Sequence, residues 1–345
     1  MCKHGFQGIE ICNYKMPLQN RWTLKSCALF IFLLPVILSI IPIFTISNHF
    51  DLNTVQNQRV LICGASGGIG EEMAYKFASH GAHIALVARR KQQLERVATE
   101  ALARGAASVI VAPGDMSKEE SILGVLKQVL GNGNWNGEMD VLVLNHAYQQ
   151  WGWLVPSAKE IYDADIGISI KGREGDKIGF QYIDTAVSVN FVSFIKLAVA
   201  SLPSLSRGGR SSGTNSHIIV VSSGGGKVAV PKQPVYGGTK HALHGFFDSF
   251  RLEIEAKQLP VSTTVVVLGQ VGTDKYNEGA GLDLSMPTME PKNAASSIII
   301  GGMAGIEELY VPLDQFLHVV TILRPLYGLR YILDRLTLKL MGSVH

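Results

Sequence analysis

Cysteine is scarce in this chain and poorly placed for chemistry. Four occur in 345 residues: Cys2 and Cys12 near the N-terminus, Cys27 inside an apolar run, and only Cys63 in the mixed-composition part. No Cys-x-x-Cys pair or Cys/His ligand spacing is present, which excludes a zinc site and a disulfide framework. No metal is expected, and Cys63 is expected to pack as a small apolar residue. Charge is equally sparse. Charged residues make up 17% of the chain and the formal net charge is +3, with no basic stripe interleaved with aromatics, so a nucleic-acid partner is excluded. The chain lacks any Asn-x-Ser/Thr acceptor, which speaks against a secretory lumen for the globular part. Internal repeats are absent too. With 36 glycines against 13 prolines, the composition calls for many tight turns in a packed domain rather than a disordered or collagen-like chain.

The longest uninterrupted feature is the run SCALFIFLLPVILSIIPIFTI over residues 26–46, 21 residues without a charge. As a helix rising about 1.5 Å per residue, it spans a hydrocarbon core of about 30 Å. Lys3, Lys15, Arg21 and Lys25 precede it and Asp51 follows, so the positive-inside rule puts the N-terminus in the cytoplasm and the following domain on the far side. Two rival readings stand beside this one. A cleavable signal has a shorter apolar stretch and small residues at its cut, and a hairpin bent at Pro35 and Pro42 leaves the domain cytosolic. The expected organisation is a leader over 1–25, a transmembrane anchor over 26–47, a linker over 48–58, a catalytic domain over 59–312 and an amphipathic extension over 313–345.

From residue 59 onward, short apolar strands alternate with helical patterns. Strands are predicted at 59–63, 83–88, 108–112, 141–144, 217–221 and 263–268, and helices at 70–80, 91–104, 185–202, 236–256 and 291–304. Ser117 and Glu120 have the spacing of a capping box, and the Gly/Ser-rich stretch 207–215 reads as a surface loop. Such alternation predicts an α/β, doubly wound parallel sheet (Rossmann fold) preceded by an N-terminal transmembrane helix. Ligands bind such sheets beyond the carboxyl ends of the strands.

Gly64-Ala65-Ser66-Gly67-Gly68-Ile69-Gly70 falls between the first strand and the first helix. Glycines there let the backbone approach a pyrophosphate, whose charge the helix N-terminus stabilises. An acidic residue at the end of the second strand binds the ribose hydroxyl of NAD; here Arg89 and Arg90 hold that place. An arginine pairs with a 2′-phosphate that an acid repels, so the sequence favours NADP(H). Farther on, Tyr236 and Lys240 stand one helical turn apart on the same face, with the Ser223 hydroxyl shortly before them. A phenol beside a cation is a tunable proton donor and acceptor.

Gly64 to Gly70, Asn145-His146-Ala147, Asn190, Ser223 and Tyr236-x-x-x-Lys240 resemble, in order and spacing, the short-chain dehydrogenase/reductase family. The anchor, Glu72-Met73-Ala74-Tyr75, residues 219–227 (IVVSSGGGK), Leu243-His244-Gly245-Phe246-Phe247 and Val267-Leu268-Gly269 resemble most the membrane-anchored 11-beta-hydroxysteroid dehydrogenase type 1 group. The resemblance implies roles for individual residues. Tyr236 is the acid/base, and Lys240 favours its phenolate and holds the nicotinamide ribose. Ser223 bonds the substrate oxygen, and Asn190 holds a water behind the lysine. Asp115 and Met116 reach the adenine, Asn145 and His146 line the cofactor with His146 packing rather than catalysing, and Thr273 approaches the phosphate or carboxamide.

The expected activity is interconversion of carbonyl and hydroxyl groups on a steroid-like or other lipid substrate. The alternatives are reduction of a sphingoid, retinoid or fatty ketone, and a non-catalytic NADP-binding scaffold. A homodimer in the endoplasmic-reticulum membrane completes the expectation. Two departures from the family are visible. Cys63 replaces the usual threonine before the first glycine, and 148–182 runs about 20 residues longer than the group requires.

Overall fold

The structure is a computed structural model that describes residues 51–152, 154, 180–273 and 288–312. The predicted leader and anchor, the C-terminal extension, most of the long 148–182 segment and residues 274–287 lie outside the described residues.

Seven parallel strands form one sheet: β1 (Arg59–Cys63), β2 (His83–Ala88), β3 (Ser108–Pro113), β4 (Val141–Leu144), β5 (Ser216–Val221), β6 (Val261–Leu268) and β7 (Glu308–Val311), in the order β3-β2-β1-β4-β5-β6-β7. Between them run α1 (Gly68–Ala78), α2 (Lys91–Ala103), α3 (Glu119–Leu130), α4 (Phe180–Val187), α5 (Ser193–Ser212), α6 (Pro234–Ala256) and α7 (Pro291–Met303). The period of two in each strand divides the core. Val60 and Ile62 of β1 and Ile84 and Leu86 of β2 face α1, α2 and α7. Leu61 and Cys63, with Ala85 and Val87, face α3, α5 and α6. Because both faces are covered, the strands are almost wholly apolar, as parallel sheets require. Strand order reverses between β1 and β4, which opens a crevice at their carboxyl ends.

Three local expectations are corrected. Residues 207–212 are not a loop, because α5 continues to Ser212 and ends at Gly213 in the left-handed region, φ 69°. Gly208 and Gly209 are buried contact points, where an added Cβ would lie 2.2 Å from the Met139 carbonyl oxygen and 2.5 Å from that of Pro260. The capping box does not form, because α3 is capped by Lys118 without a side-chain bond and the Ser117 hydroxyl donates to Asp115 at 2.8 Å. Strand β7 escaped the sequence reading, being four residues long and opening on a glutamate.

Between α4 and α5 lies one π-helical turn, Ser188–Val192. Together the three make the one helix among the described residues long and apolar enough to cross a membrane, Phe180–Ser212. Its Phe194, Leu197, Ala198 and Leu205 are fully buried against the sheet, the packing of a core helix.

Candidate active site

The glycine segment leaves β1 at Gly64, whose φ of +88° suits glycine, and enters α1 after Gly68, φ +58°. At Gly70 an added Cβ would stand 2.1 Å from the Gly64 carbonyl oxygen, so helix and turn touch backbone to backbone. Asn145, just past β4, donates from Nδ2 to that same oxygen at 3.3 Å. Ile69 is buried beneath the turn, and Gly67, the N-cap of α1, makes no side-chain cap bond. Thr273 closes the other side, its Cγ2 lying 3.3 Å from where a Cβ on Gly68 would sit.

Arg89 and Arg90 emerge exposed at the end of β2. Arg90 folds back over the turn and donates from Nη2 to Ser66 Oγ at 3.0 Å. Burial opposes the charge on Asp115, yet the Ser117 backbone N–H and hydroxyl, with Arg89 and Lys118 nearby, hold its carboxyl below the ordinary range. Met116 beside it is buried. The structure therefore gathers Ser66, Arg90 and, near Asp115, Arg89 at one edge of the crevice.

On the other side, Ser223 follows β5 and opens a 3-10 turn, Gly224–Gly226, its hydroxyl accepting the Gly225 N–H at 3.2 Å. Tyr236 lies in the first turn of α6. Burial pushes its phenol up to about 12, while a hydrogen bond with Ser223 works in the opposite direction and Tyr182 adds to the rise. At neutral pH the group is a phenol, the form that donates a proton. Lys240 sits one turn below, buried, and donates from Nζ to the Val221 carbonyl at 2.8 Å. Its ammonium is 5.7 Å from the Tyr236 ring centroid and 5.0 Å from that of Phe194.

Asn190 occupies the π-helical turn, where its Oδ1 accepts the Tyr148 N–H at 2.7 Å and its Nδ2 donates to the Tyr148 carbonyl at 2.8 Å. Both polar ends of the amide thus hold the chain that leaves β4. His146 points its Nε2 at Ser193 Oγ, 2.7 Å away, and packs its ring, tilted by 38°, with its centroid 4.5 Å from that of Phe194. Sequence reasoning missed Thr239 and Tyr182. Thr239 is buried and bonds the Tyr236 carbonyl at 2.7 Å, a position that the inward face of α6 marks. Tyr182 packs its ring 5.7 Å from that of Tyr148. It is the last residue of the long 148–182 segment, where no motif points to it.

The glycine turn lies at the sheet's switch point, and Ser223, Tyr236 and Lys240 come together between the end of β5 and the start of α6. The sequence profile of the short chain dehydrogenase family matches residues 58–279. The chain belongs to this family. As a short-chain dehydrogenase it is an oxidoreductase acting on CH–OH groups.

Its curated relatives include a hydroxysteroid 11-beta-dehydrogenase 1-like protein of Gallus gallus, 34% identical over 279 residues, which are 80% of this chain and 85% of the relative. The protein of the same name from Xenopus tropicalis is 33% identical over 78% of this chain and 84% of its own length. Among solved structures, a short-chain dehydrogenase from Sphingobium yanoikuyae in complex with NADPH aligns with a TM-score of 0.62 at 22% identity, covering 81% of this chain and 95% of that one. This last likeness establishes the fold. A glycine turn without side-chain bulk that runs into the uncapped N-terminus of α1, with Asn145 and Thr273 around it, could hold the pyrophosphate of a nicotinamide dinucleotide.

Proposed function

We propose that the chain is a membrane-anchored, NADP(H)-dependent oxidoreductase that interconverts carbonyl and hydroxyl groups on a steroid-like or other lipid substrate, with Tyr236 as proton donor and acceptor. The observation that carries the reading is the Tyr236 phenol, held protonated by burial and hydrogen-bonded to Ser223 at the open end of β5. The bound nicotinamide supplies the hydride. Tyr236 and Ser223 orient the substrate oxygen by hydrogen bonds, and the phenol passes its proton to that oxygen as the carbonyl becomes a hydroxyl. Lys240, behind the phenol, stabilises the phenolate left behind. Asn190 keeps the Tyr148 backbone in place beside it. In oxidation the same groups act in reverse.

The preference for NADP(H) is supported by Arg90 on Ser66 and by the exposed Arg89, two cations where a ribose 2′-phosphate would lie. Asp115, Met116, Asn145, His146 and Thr273 line the remainder of that cleft. The rings of Tyr148 and Tyr182, packed with Val235, supply an apolar wall on the substrate side. The relatives named for hydroxysteroids support a steroid-like substrate. The charge-free run over 26–46 supports a single-pass anchor in the endoplasmic reticulum with a cytoplasmic N-terminus, joined by a linker to a catalytic domain over 59–312. Exposed Leu123 and Val199, on the packed pair α3 and α5, support a homodimer.

The test is consumption of NADPH by the full-length protein with a panel of keto-steroids, keto-sphingoids, retinals and fatty ketones. Turnover of a keto-steroid is expected. Tight NADPH binding without turnover of any member would overturn the reading in favour of a scaffold.

A further inference from the structure

Beyond the groups that face the substrate, one buried cluster ties the reacting elements together. Lys227 follows the turn that Ser223 opens, and its ammonium donates to Glu308 Oε2 at 2.7 Å. Glu308 is the first residue of β7, and the Tyr310 hydroxyl donates to its other oxygen. From α6, His244 sets Nδ1 3.6 Å from Glu308 Oε2 and Nε2 3.1 Å from the Ser222 hydroxyl. Ser222 Oγ also lies 3.2 Å from the carbonyl oxygen of Lys240. Side-chain exposure is 4% at Lys227, 7% at His244 and 23% at Glu308, so the two basic groups are shielded from water and the carboxylate is partly so.

The Ser222 hydroxyl donates to the Lys240 carbonyl and stands within hydrogen-bond distance of His244 Nε2, while His244 Nδ1 faces the Glu308 carboxylate from 3.6 Å. Burial keeps His244 neutral against the pull of Glu308, and Lys227 adds to that effect. Burial opposes the charge on Glu308, yet His244, Lys227 and Tyr310 together hold its carboxyl well below the usual carboxylate range. On one side of the Ser223–Gly226 stretch Lys227 is thus bonded to Glu308, and on the other Ser222 is bonded to His244, whose ring faces the same carboxylate.

The three consecutive glycines of this turn bring no side chains to pack it, so it is held by the Ser223 hydroxyl on the Gly225 N–H and by backbone bonds from Gly226, Lys227 and Val228. Gly226 rests on the α6 backbone, where an added Cβ would meet the Lys240 carbonyl carbon at 2.9 Å, so sideways drift of the turn changes the distance from Ser223 to Tyr236. A buried ion pair gains little net stability once desolvation is counted, and its best use is to fix one geometry.

We propose that Lys227, His244 and Glu308 form a positioning clamp that holds the Ser223 turn in register with Tyr236 and Lys240. The proposal rests on the functional reading only in assigning Ser223 and Tyr236 to the substrate oxygen.

Removing one charge leaves the other buried and unpaired, so Glu308→Gln alone risks unfolding. The double variant Lys227→Met with Glu308→Gln removes both charges, and Lys227→Arg keeps the ion pair as the conservative control. In the full-length protein, the double variant should keep NADPH affinity within about twofold and melt near the wild type, while kcat falls about 10- to 100-fold with a much smaller change in KM. Lys227→Arg should retain most of the activity. A readout independent of substrate is the ¹³Cζ resonance of Tyr236 in tyrosine-labelled protein, which senses the Ser223 hydrogen bond and should move in the double variant.

If the wild type reduces no member of the ketone panel, the functional reading fails and the Tyr236 resonance still decides the clamp. Wild-type kcat with an unmoved resonance overturns the clamp. So does a double variant that melts far below the wild type, or one in which kcat and NADPH affinity fall together, since the cluster is then structural.

Discussion

Gly70→Ala and Gly124→Ala are the same chemical change in two helices, and the structure assigns them opposite signs. At Gly70 the new methyl carbon would lie 2.1 Å from the Gly64 carbonyl oxygen and 2.8 Å from Asn145 Nδ2, against a tight limit of 3.0–3.4 Å for real Cβ contacts. Backbone stands on one side and a bonded amide on the other, so helix and turn must part by about 1 Å. Overpacking of this kind costs about 1–3 kcal/mol. The same displacement moves the amides of the α1 N-terminus off the pyrophosphate; losing one charge-assisted bond, about 1.5–3 kcal/mol, weakens the dinucleotide roughly 10- to 100-fold. Gly124, exposed in the interior of α3, has nothing within 4 Å of its added Cβ. There alanine gains about 0.5–1 kcal/mol, because glycine gives up more conformational freedom on folding. Urea denaturation and fluorescence titration with NADPH measure both effects on the full-length protein. Wild-type NADPH affinity in Gly70→Ala, or equal stability changes in the two variants, would refute the reasoning.

Arg89→Asp and Arg90→Asp should each weaken NADPH about 10- to 100-fold more than NADH, the worth of one charge-assisted bond; equal weakening of both dinucleotides would leave the arginines a structural role. Burial lowers the pKa of His217 from 6.5 to about 4. The unfolded chain therefore takes up its proton first, so stability is intact above pH 6.5 and declines towards pH 4, by about 2 kcal/mol between pH 6.5 and 5 at about 1.4 kcal/mol per unit. His217→Gln should flatten that slope, with His83 and His244, shifted the same way, contributing the remainder. An unchanged slope in urea melts across this range would contradict the assignment.

The alternation of strand and helix was legible because both faces of a parallel sheet must be apolar, which writes each strand as a short hydrophobic run. The glycine turn and the Ser223, Tyr236 and Lys240 set were legible because each chemistry needs particular residue types in a particular order. What remained hidden depended on contacts between distant segments. Gly208 and Gly209 read as loop, whereas they permit α5 to touch the chain at Met139 and Pro260. Ser117 read as a helix cap, but its hydroxyl donates to the Asp115 carboxylate instead. The bonds from the Asn190 amide to the Tyr148 backbone, across 42 residues of chain, have no mark in the sequence. Glu308 opens a four-residue strand and carries a charge into the interior, and only its pairing with Lys227 makes that strand intelligible.

Turnover by Tyr236→Phe, measured beside its NADPH affinity, tests the chemistry most directly. Phenylalanine keeps the ring and its packing and removes only the hydroxyl that carries the proton. The expected result is a fall in kcat of about 10²- to 10⁴-fold, the worth of a positioned acid/base, with NADPH binding as in the wild type. Turnover at the wild-type rate would contradict Tyr236 as the proton donor.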